Sequence, residues 1–392
     1  MNTGKKRATI RDVADRAEVS ISTVSHVVNE TRHVEEDTRA KILSAISDLD
    51  YRPNQFARGL RGAKTATIGL IISDIREDFF SFLTKTIESA ANEHGYTVIL
   101  CDSEEDVAKE RLYLEILAGK GVDGIIIAPV DSDSPPRLPA GHKPPIVQVD
   151  RRCPDSGLDF AGIDNRKYAA EAVRYLHSAG YGEIGFVGHE PGIWTMGERA
   201  EGFRSAMKEL GHPAGGRVLI ISSRGANPKA VVKRWMTANP GLEALICGNA
   251  NICFAALAAA EERAGADARK LGLVAFDDLE CFHFLRDPVT TICQPTERMG
   301  LAALELLISR IKTGGQQQPR EVLLPAKLII REASPRAAKR PGAAAPGNPA
   351  KKPRNLEKLP VQTMHVQTRA ATRRIPERSV ENSGAAAGRR KG

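Results

Sequence analysis

The sequence predicts a small all-α headpiece, then an α/β body in which a strand–helix alternation runs twice, then a disordered basic tail. Three observations carry this. Residues 1–50 hold three amphipathic helical runs and no strand pattern. From Thr67 onward, short and nearly continuous apolar runs alternate with helical ones, the pattern of parallel strands covered by helices. Beyond Glu332 hydrophobic periodicity stops, and Ala, Pro, Gly, Lys and Arg dominate.

In the first helical run Ile10, Val13, Ala14 and Ala17 share one face, with Thr9 as N-cap. Only Glu18, Val19 and Ser20 separate it from a second run, 21–29, which Ser20 caps. There Val24, Val27 and Val28 form an apolar stripe, and Ser22, Ser25, His26 and Asn29 lie opposite, together with Ile21. Two helices joined so closely must turn sharply, as in a helix-turn-helix. Short hydrogen-bonding side chains on the outer face of the second helix suit base edges in a major groove. A third run, 36–49, offers Ile42, Leu43, Ile46 and Leu49 to close a three-helix core. An ordinary helical hairpin would share this pattern; the segment from Asp50 to Arg61 argues against it.

Thr9-Ile10-Arg11-Asp12-Val13-Ala14, Val19-Ser20 with Thr23-Val24-Ser25, Val28-Asn29, Tyr51-Arg52-Pro53-Asn54, and Ala57-Arg58 with Leu60 together resemble the signature of the lactose/galactose-repressor family of bacterial transcription regulators. The resemblance continues more weakly to about Glu332 and leaves the last sixty residues outside. It implies a homodimer on double-stranded operator DNA. Residues 1–53 would be the DNA-binding domain and 54–63 a hinge helix and linker. Asn54, Ala57, Arg58 and Leu60 would be the hinge's DNA contacts. Leu60 would wedge into the minor groove, Ala57 would let paired helices approach, and Arg58 would reach phosphate. Composition alone reads 54–60 equally well as a solvated linker. In the headpiece Ile21, Ser22 and His26 are placed on bases, Ile21 against a thymine methyl and His26 donating to guanine. Thr9, Ser20, Ser25 and Asn29 suit phosphate oxygens.

In the body, strands are expected at 66–72, 96–101, 124–128 and 144–150, with helices at 79–94 and 108–119. The alternation then restarts with helices at 165–179, 198–210, 229–238, 252–264 and 299–312 and strands at 183–188, 218–221, 244–247, 273–276 and 290–295. This resembles a periplasmic-binding-protein-like core of two lobes around a cleft, joined by three crossings. The effector-binding and dimerisation domain would be 64–332. Lobe 1 would take about 64–162 and 293–322, and lobe 2 about 163–290 and 323–332.

Ligands of open α/β sheets bind at the carboxyl ends of strands. Phe79 and Phe80 follow the first strand and read either as effector contacts or as core. By resemblance, Thr195 and Arg199 in Trp194-Thr195-Met196-Gly197-Glu198-Arg199 and the first acid of Phe276-Asp277-Asp278 face an effector. A guanidinium forks to hydroxyls or a carboxylate, and Asp277 can accept from sugar hydroxyls or purine N–H groups. Trp194 is either a stacking ring or a packed lid residue. Asp278 reads as a turn or cap residue, and at Asp164 and Asn165 cap and ligand roles are not separable. Asn249 matches the family's Asn-Asp pair, but Ala250 stands where the acid is usual. The effector is expected to be a sugar or sugar derivative, with a purine-like co-repressor as the alternative.

Of the net charge of +8, residues 333–392 hold 14 basic against 3 acidic groups, so the basic balance argues nothing about the headpiece. This tail (333–392) reads as a disordered extension, or else as a phosphate-binding arm. Six scattered cysteines without metal spacing suggest reduced thiols, and neither metal nor cofactor is expected. No signal peptide or membrane run is visible, so the cytoplasm is the expected location. No G-x-S-x-G, P-loop or H-E-x-x-H motif occurs, so an enzyme is not expected. An exported sugar receptor would share the body but not the helix-turn-helix.

Overall fold

The computed structural model describes residues 8–29, 32–51, 65–141, 143–212, 215–223, 225, 227–263, 271–285, 288–314 and 318–331. The expected hinge contacts Asn54, Ala57, Arg58 and Leu60, and the basic tail, lie outside the described residues.

The headpiece comprises α1 (Ile10–Ala17), α2 (Ile21–Asn29) and α3 (Glu36–Asp48). α1 starts in a capping box: the Thr9 N–H donates to Asp12 Oδ2 at 2.7 Å, and the Asp12 N–H donates to Thr9 Oγ1 at 3.3 Å. It ends at Glu18, whose φ of 54° turns the chain in the left-handed region. Ser20 then caps α2, its Oγ accepting from the Thr23 N–H at 3.1 Å. Val13, Ala14, Ala17, Val24, Val27, Ile42 and Ala45 fill the core.

Two expected positions change. Leu43 is 49% exposed, because Ile42, Ala45, Ile46 and Leu49 form the inward face of α3 and Leu43 stands about 100° away from Ile42. Ile21 is half-buried against the headpiece core rather than outward-facing; it lies three residues before Val24 and joins its stripe.

The body has two six-stranded sheets. The first takes β1 (Thr67–Ile72), β2 (Thr97–Asp102), β3 (Gly124–Ile127), β4 (Ile146–Val149), β5 (Asp159–Gly162) and β11 (Glu321–Leu323), ordered β11-β5-β4-β3-β1-β2. The second takes β6 (Ile184–Gly188), β7 (Arg217–Ile220), β8 (Ala244–Cys247), β9 (Gly272–Phe276), β10 (Thr290–Cys293) and β12 (Lys327–Ile329), ordered β12-β10-β9-β8-β6-β7. The two orders are the same, so β4 and β9 hold equivalent places. Every pairing is parallel except β10 with β12. The covering helices are α4 (Asp78–Glu93), α5 (Val107–Gly119), α6 (Asn165–Ser178), α7 (Trp194–Glu209), α8 (Pro228–Ala238), α9 (Ala250–Arg263) and α10 (Thr296–Thr313).

The chain passes between lobes after β5, after β10 and between β11 and β12. Periodicity gave no strand at 159–162, a four-residue segment buried throughout that alternation cannot reveal. Asp159 anchors it: Arg310 Nε on α10 donates to Asp159 Oδ2 at 2.7 Å, and the Arg320 N–H donates to Oδ1 at 2.7 Å. α7 begins at Trp194, four residues before the expected start, where the indole packs on Phe160. Among the described residues, no helix is long and apolar enough to cross a membrane.

Helices α6 and α7 approach closely at Gly202, where an added Cβ would stand 2.2 Å from the Arg166 carbonyl oxygen. Backbone cannot yield as a side chain can, so Gly202→Ala is expected to destabilise lobe 2 by about 1–3 kcal/mol. Thermal unfolding checks this; an unchanged melting temperature would show that the two helices can separate without loss.

Candidate functional site

The segments that follow the strands of both sheets bring a group of buried charges together. Arg199, in the second turn of α7, is 3% exposed. Its Nε donates to Asn165 Oδ1 at 2.7 Å and its Nη1 to the Gly248 carbonyl at 2.5 Å. The guanidinium lies 3.9 Å from the centroid of the Phe276 ring. Burial lowers the Arg199 pKa, opposed chiefly by the carboxylates of Asp277 and Asp150.

Those two carboxylates stand at equivalent places in the two lobes, Asp150 just after β4 and Asp277 just after β9. Both hold left-handed backbone, with φ of 61° and 73°, a strain that clusters where a side chain must be aimed. Burial pushes Asp150 up to about 6 against the pull of Arg199 and Arg151. Burial also raises Asp277, opposed by Arg199 and by Gln294, whose Nε2 donates to Asp277 Oδ1 at 2.7 Å. Two acceptors here are buried without a partner: Asp150 Oδ1 and Gln294 Oε1.

Arg151 is 4% exposed and makes a forked ion pair with Glu105, both contacts at 2.8 Å. Its guanidinium lies 5.4 Å from the centre of the Phe80 ring. Glu77, just before α4 in lobe 1, accepts from Asn249 Nδ2 of lobe 2 at 3.1 Å. Asn249 Oδ1 meanwhile caps α9, taking the Ile252 N–H at 2.9 Å. Burial pushes Glu77 up to about 7; Arg151 opposes this, and Asp277 and Glu105 add to it. Further contacts join the lobes. The Ser132 N–H donates to the Gly192 carbonyl at 2.8 Å, and Trp194 meets Phe160 edge-on at 5.4 Å.

Of the expected effector residues, Arg199, Asn249 and Asp277 join this group, and Thr195 is buried on the same helix as Arg199. Phe79 and Phe80 do not: both are buried in the apolar core of lobe 1, where Phe80 supports Arg151. Trp194 packs between lobes, with the Arg152 guanidinium 5.1 Å from its ring centre. Asn165 positions Arg199, while Asp164 caps α6 through the Lys167 N–H at 3.0 Å. Asp278 is not a turn residue; it accepts from Arg331 Nη2 at 2.7 Å and from the Thr291 hydroxyl at 2.8 Å. Asp150, Arg151, Gln294 and Glu77 were missed. The available signal was an acid and an arginine directly after the wholly buried strand β4.

In the headpiece Ser22 is exposed and its hydroxyl meets Ser20 Oγ at 2.7 Å, while Ser25 and His26 are half-buried on α2. The Thr9 hydroxyl is engaged with Asp12 at 2.8 Å. Asn29 is the last residue of α2. Among the described residues, no three His, Cys, Asp or Glu side chains could hold a metal ion.

Residues 65–332 match the family of periplasmic binding proteins and sugar binding domain of LacI family, and residues 9–54 match bacterial regulatory proteins, lacI family. The HTH-type transcriptional regulator PtxS of Pseudomonas plecoglossicida is 31% identical over 86% of this chain and 98% of its own length. The HTH-type transcriptional repressor PurR of Photobacterium profundum is also 31% identical, over 83% and 98%. Among solved structures, a putative ribose operon repressor from Burkholderia thailandensis superposes with a TM-score of 0.59 at 30% identity, over 67% of this chain and 98% of that one. A transcriptional regulator CelR–cellobiose complex gives 0.61 at 25% identity, over 84% and 100%.

The raised carboxyls have a consequence for stability. Glu77 at about 7 and Asp150 at about 6 keep protons that the unfolded chain releases near 4.5 and 3.8. Their contribution is therefore full below the unfolded values and lost as pH rises through 6 and 7. Glu110, buried and also near 7, acts with the same sign. The melting temperature is expected to rise as pH falls from about 8 to about 5.5, and to rise less in Glu77→Gln. Parallel curves for the two proteins would remove Glu77 from the effect.

Proposed function

The chain belongs to the lacI family of bacterial regulatory proteins and is a helix-turn-helix transcription regulator; from that premise we propose that it represses transcription as a homodimer whose operator affinity is set by a sugar-like effector held between the lobes. What supports the effector site most is two buried acceptors without partners, Asp150 Oδ1 beside Arg199 and Gln294 Oε1 beside Asp277. A buried acceptor left unmade costs about 1–3 kcal/mol, which ligand hydroxyls would recover. The cellobiose carried by the CelR structure accords with a saccharide there.

For DNA, α2 is the reading helix, with Ser22 and His26 toward bases and Ile21 shared between the headpiece core and a thymine methyl. Ser20, Ser25, Asn29 and Thr9 hold phosphate, which fixes register rather than sequence. Asn54, Ala57, Arg58 and Leu60 form the minor-groove hinge. Exposed apolar groups suit a second copy of the chain: Phe82 is 65% exposed, and Leu112 and Ile116 stand one turn apart on α5 at 52% and 39%.

The operator can be recovered by selection from random duplexes and its binding followed by fluorescence anisotropy. His26→Ala is expected to relax preference at one base pair by about 1 kcal/mol, the low end for a single donor. An unchanged preference would take His26 out of the readout. Arg199→Ala is expected to keep operator binding and lose the response to sugar; a full response would contradict the site.

A further inference from the structure

The two cations of the cleft are already committed. Arg151 spends both terminal nitrogens on Glu105, and Arg199 spends its Nε and Nη1 on Asn165 and the Gly248 carbonyl while lying on Phe276. Against these two guanidinium groups stand four carboxylates, Glu77, Glu105, Asp150 and Asp277, with Asp277 and Glu105 each acting on both Glu77 and Asp150. The partnerless side-chain oxygens are acceptors. The one partnerless donor among these charges, Arg151 Nε, lies 3.8 Å from Asp150 Oδ2. The amide orientation of Gln294 follows from its neighbour: with Nε2 on Asp277, Oε1 must face away from that carboxylate.

We propose that this cleft selects an effector rich in hydroxyl donors and free of negative charge, and that Glu77 is the group that rejects anions. This rests on the reading of the cleft as the effector site. Ala250, beside Asn249, contributes only its N–H to Asp277, so the carboxylate that meets Asn249 comes from the opposite lobe. A phosphate or carboxylate lying between the lobes would face Glu77, Asp150 and Asp277 together. Arg151 is already paired with Glu105. The charge of Arg199, held by the neutral groups of Asn165 and Gly248, is set against Asp277 and Asp150, so an added anion would increase the negative excess of the site. A neutral sugar supplies O–H groups to Asp150 Oδ1 and Gln294 Oε1 and leaves both arginines in place. Burial is the first cause of the raised Glu77 and Asp150 values, and Asp277 and Glu105 add to both.

The test is a thermal-shift titration of the full chain with matched pairs. Glucose, ribose, fructose, galactose and cellobiose are compared with glucose 6-phosphate, ribose 5-phosphate, fructose 6-phosphate, galacturonate and cellobionate. At least one neutral sugar is expected to raise the melting temperature, and its charged counterpart to need about tenfold more or not to act at all. Glu77→Gln is expected to narrow that gap, and Asp150→Asn to weaken the neutral sugar itself. An anion that acts at a lower concentration than its neutral parent, and loses its effect in Arg199→Ala, would overturn this inference while leaving the effector site standing. An unchanged gap in Glu77→Gln would overturn the role given to Glu77. No shift from any compound would count against both the site and the inference.

Discussion

Charge buried between two lobes has to be balanced, and the body of this protein is arranged around that requirement. Asp150 and Asp277 leave water at the ends of two equivalent strands, where Arg199 acts on both and Arg151 on Asp150. Removing an ion from water costs several kcal/mol unless partners and hydrogen bonds replace the solvent. Here the replacement is incomplete, since Asp150 Oδ1 and Gln294 Oε1 remain without partners. Closure of the lobes over these groups is opposed by the carboxylates' preference for water.

The fold makes this arrangement repeatable. Each sheet carries the same strand order, so the position after the fourth strand of each lobe recurs and supplies one acid from each. Left-handed backbone at both acids ends the strand abruptly and turns the next segment into the cleft. α6 and α7 pack closely enough at Gly202 to hold Asn165 and Arg199 in register across two helices. Contacts between the lobes include Glu77 with Asn249, Ser132 with Gly192, and Trp194 with Phe160 and Arg152. A ligand that binds one arrangement of the lobes better than another shifts the balance between them.

Much of this was legible in the sequence where periodicity is strong. The headpiece helices and most strands fall within a few residues of the expected limits, because valine and isoleucine spacing reports the face that packs. Arg199 and Asp277 were expected from the family resemblance of Thr195 to Arg199 and of Phe276-Asp277-Asp278, and the structure buries both in one group of charges. Glu77 escaped notice because the two phenylalanines after α4 begins look more like ligand contacts, and nothing local shows that Phe79 and Phe80 point into the core. Asp150 and Arg199 come from different lobes and act on each other only through the fold, which no window of sequence contains. Leu43 and Ile21 exchanged inward and outward roles because each sits at the edge of its helix's apolar stripe.

The claim that unsatisfied carboxylates oppose closure can be read directly from Trp194, which touches the other lobe at Phe160. The chain has two tryptophans, so Trp235→Phe leaves this indole as the sole reporter. Acrylamide quenching of its fluorescence, measured without ligand from about pH 5.5 to about pH 8.5, follows the ionisation of Glu77 and Asp150. Quenching should rise across that range as the lobes part, and should stay flat when Glu77→Gln and Asp150→Asn are both introduced. Equal quenching at every pH before those substitutions would contradict the idea that buried acid governs how the lobes close.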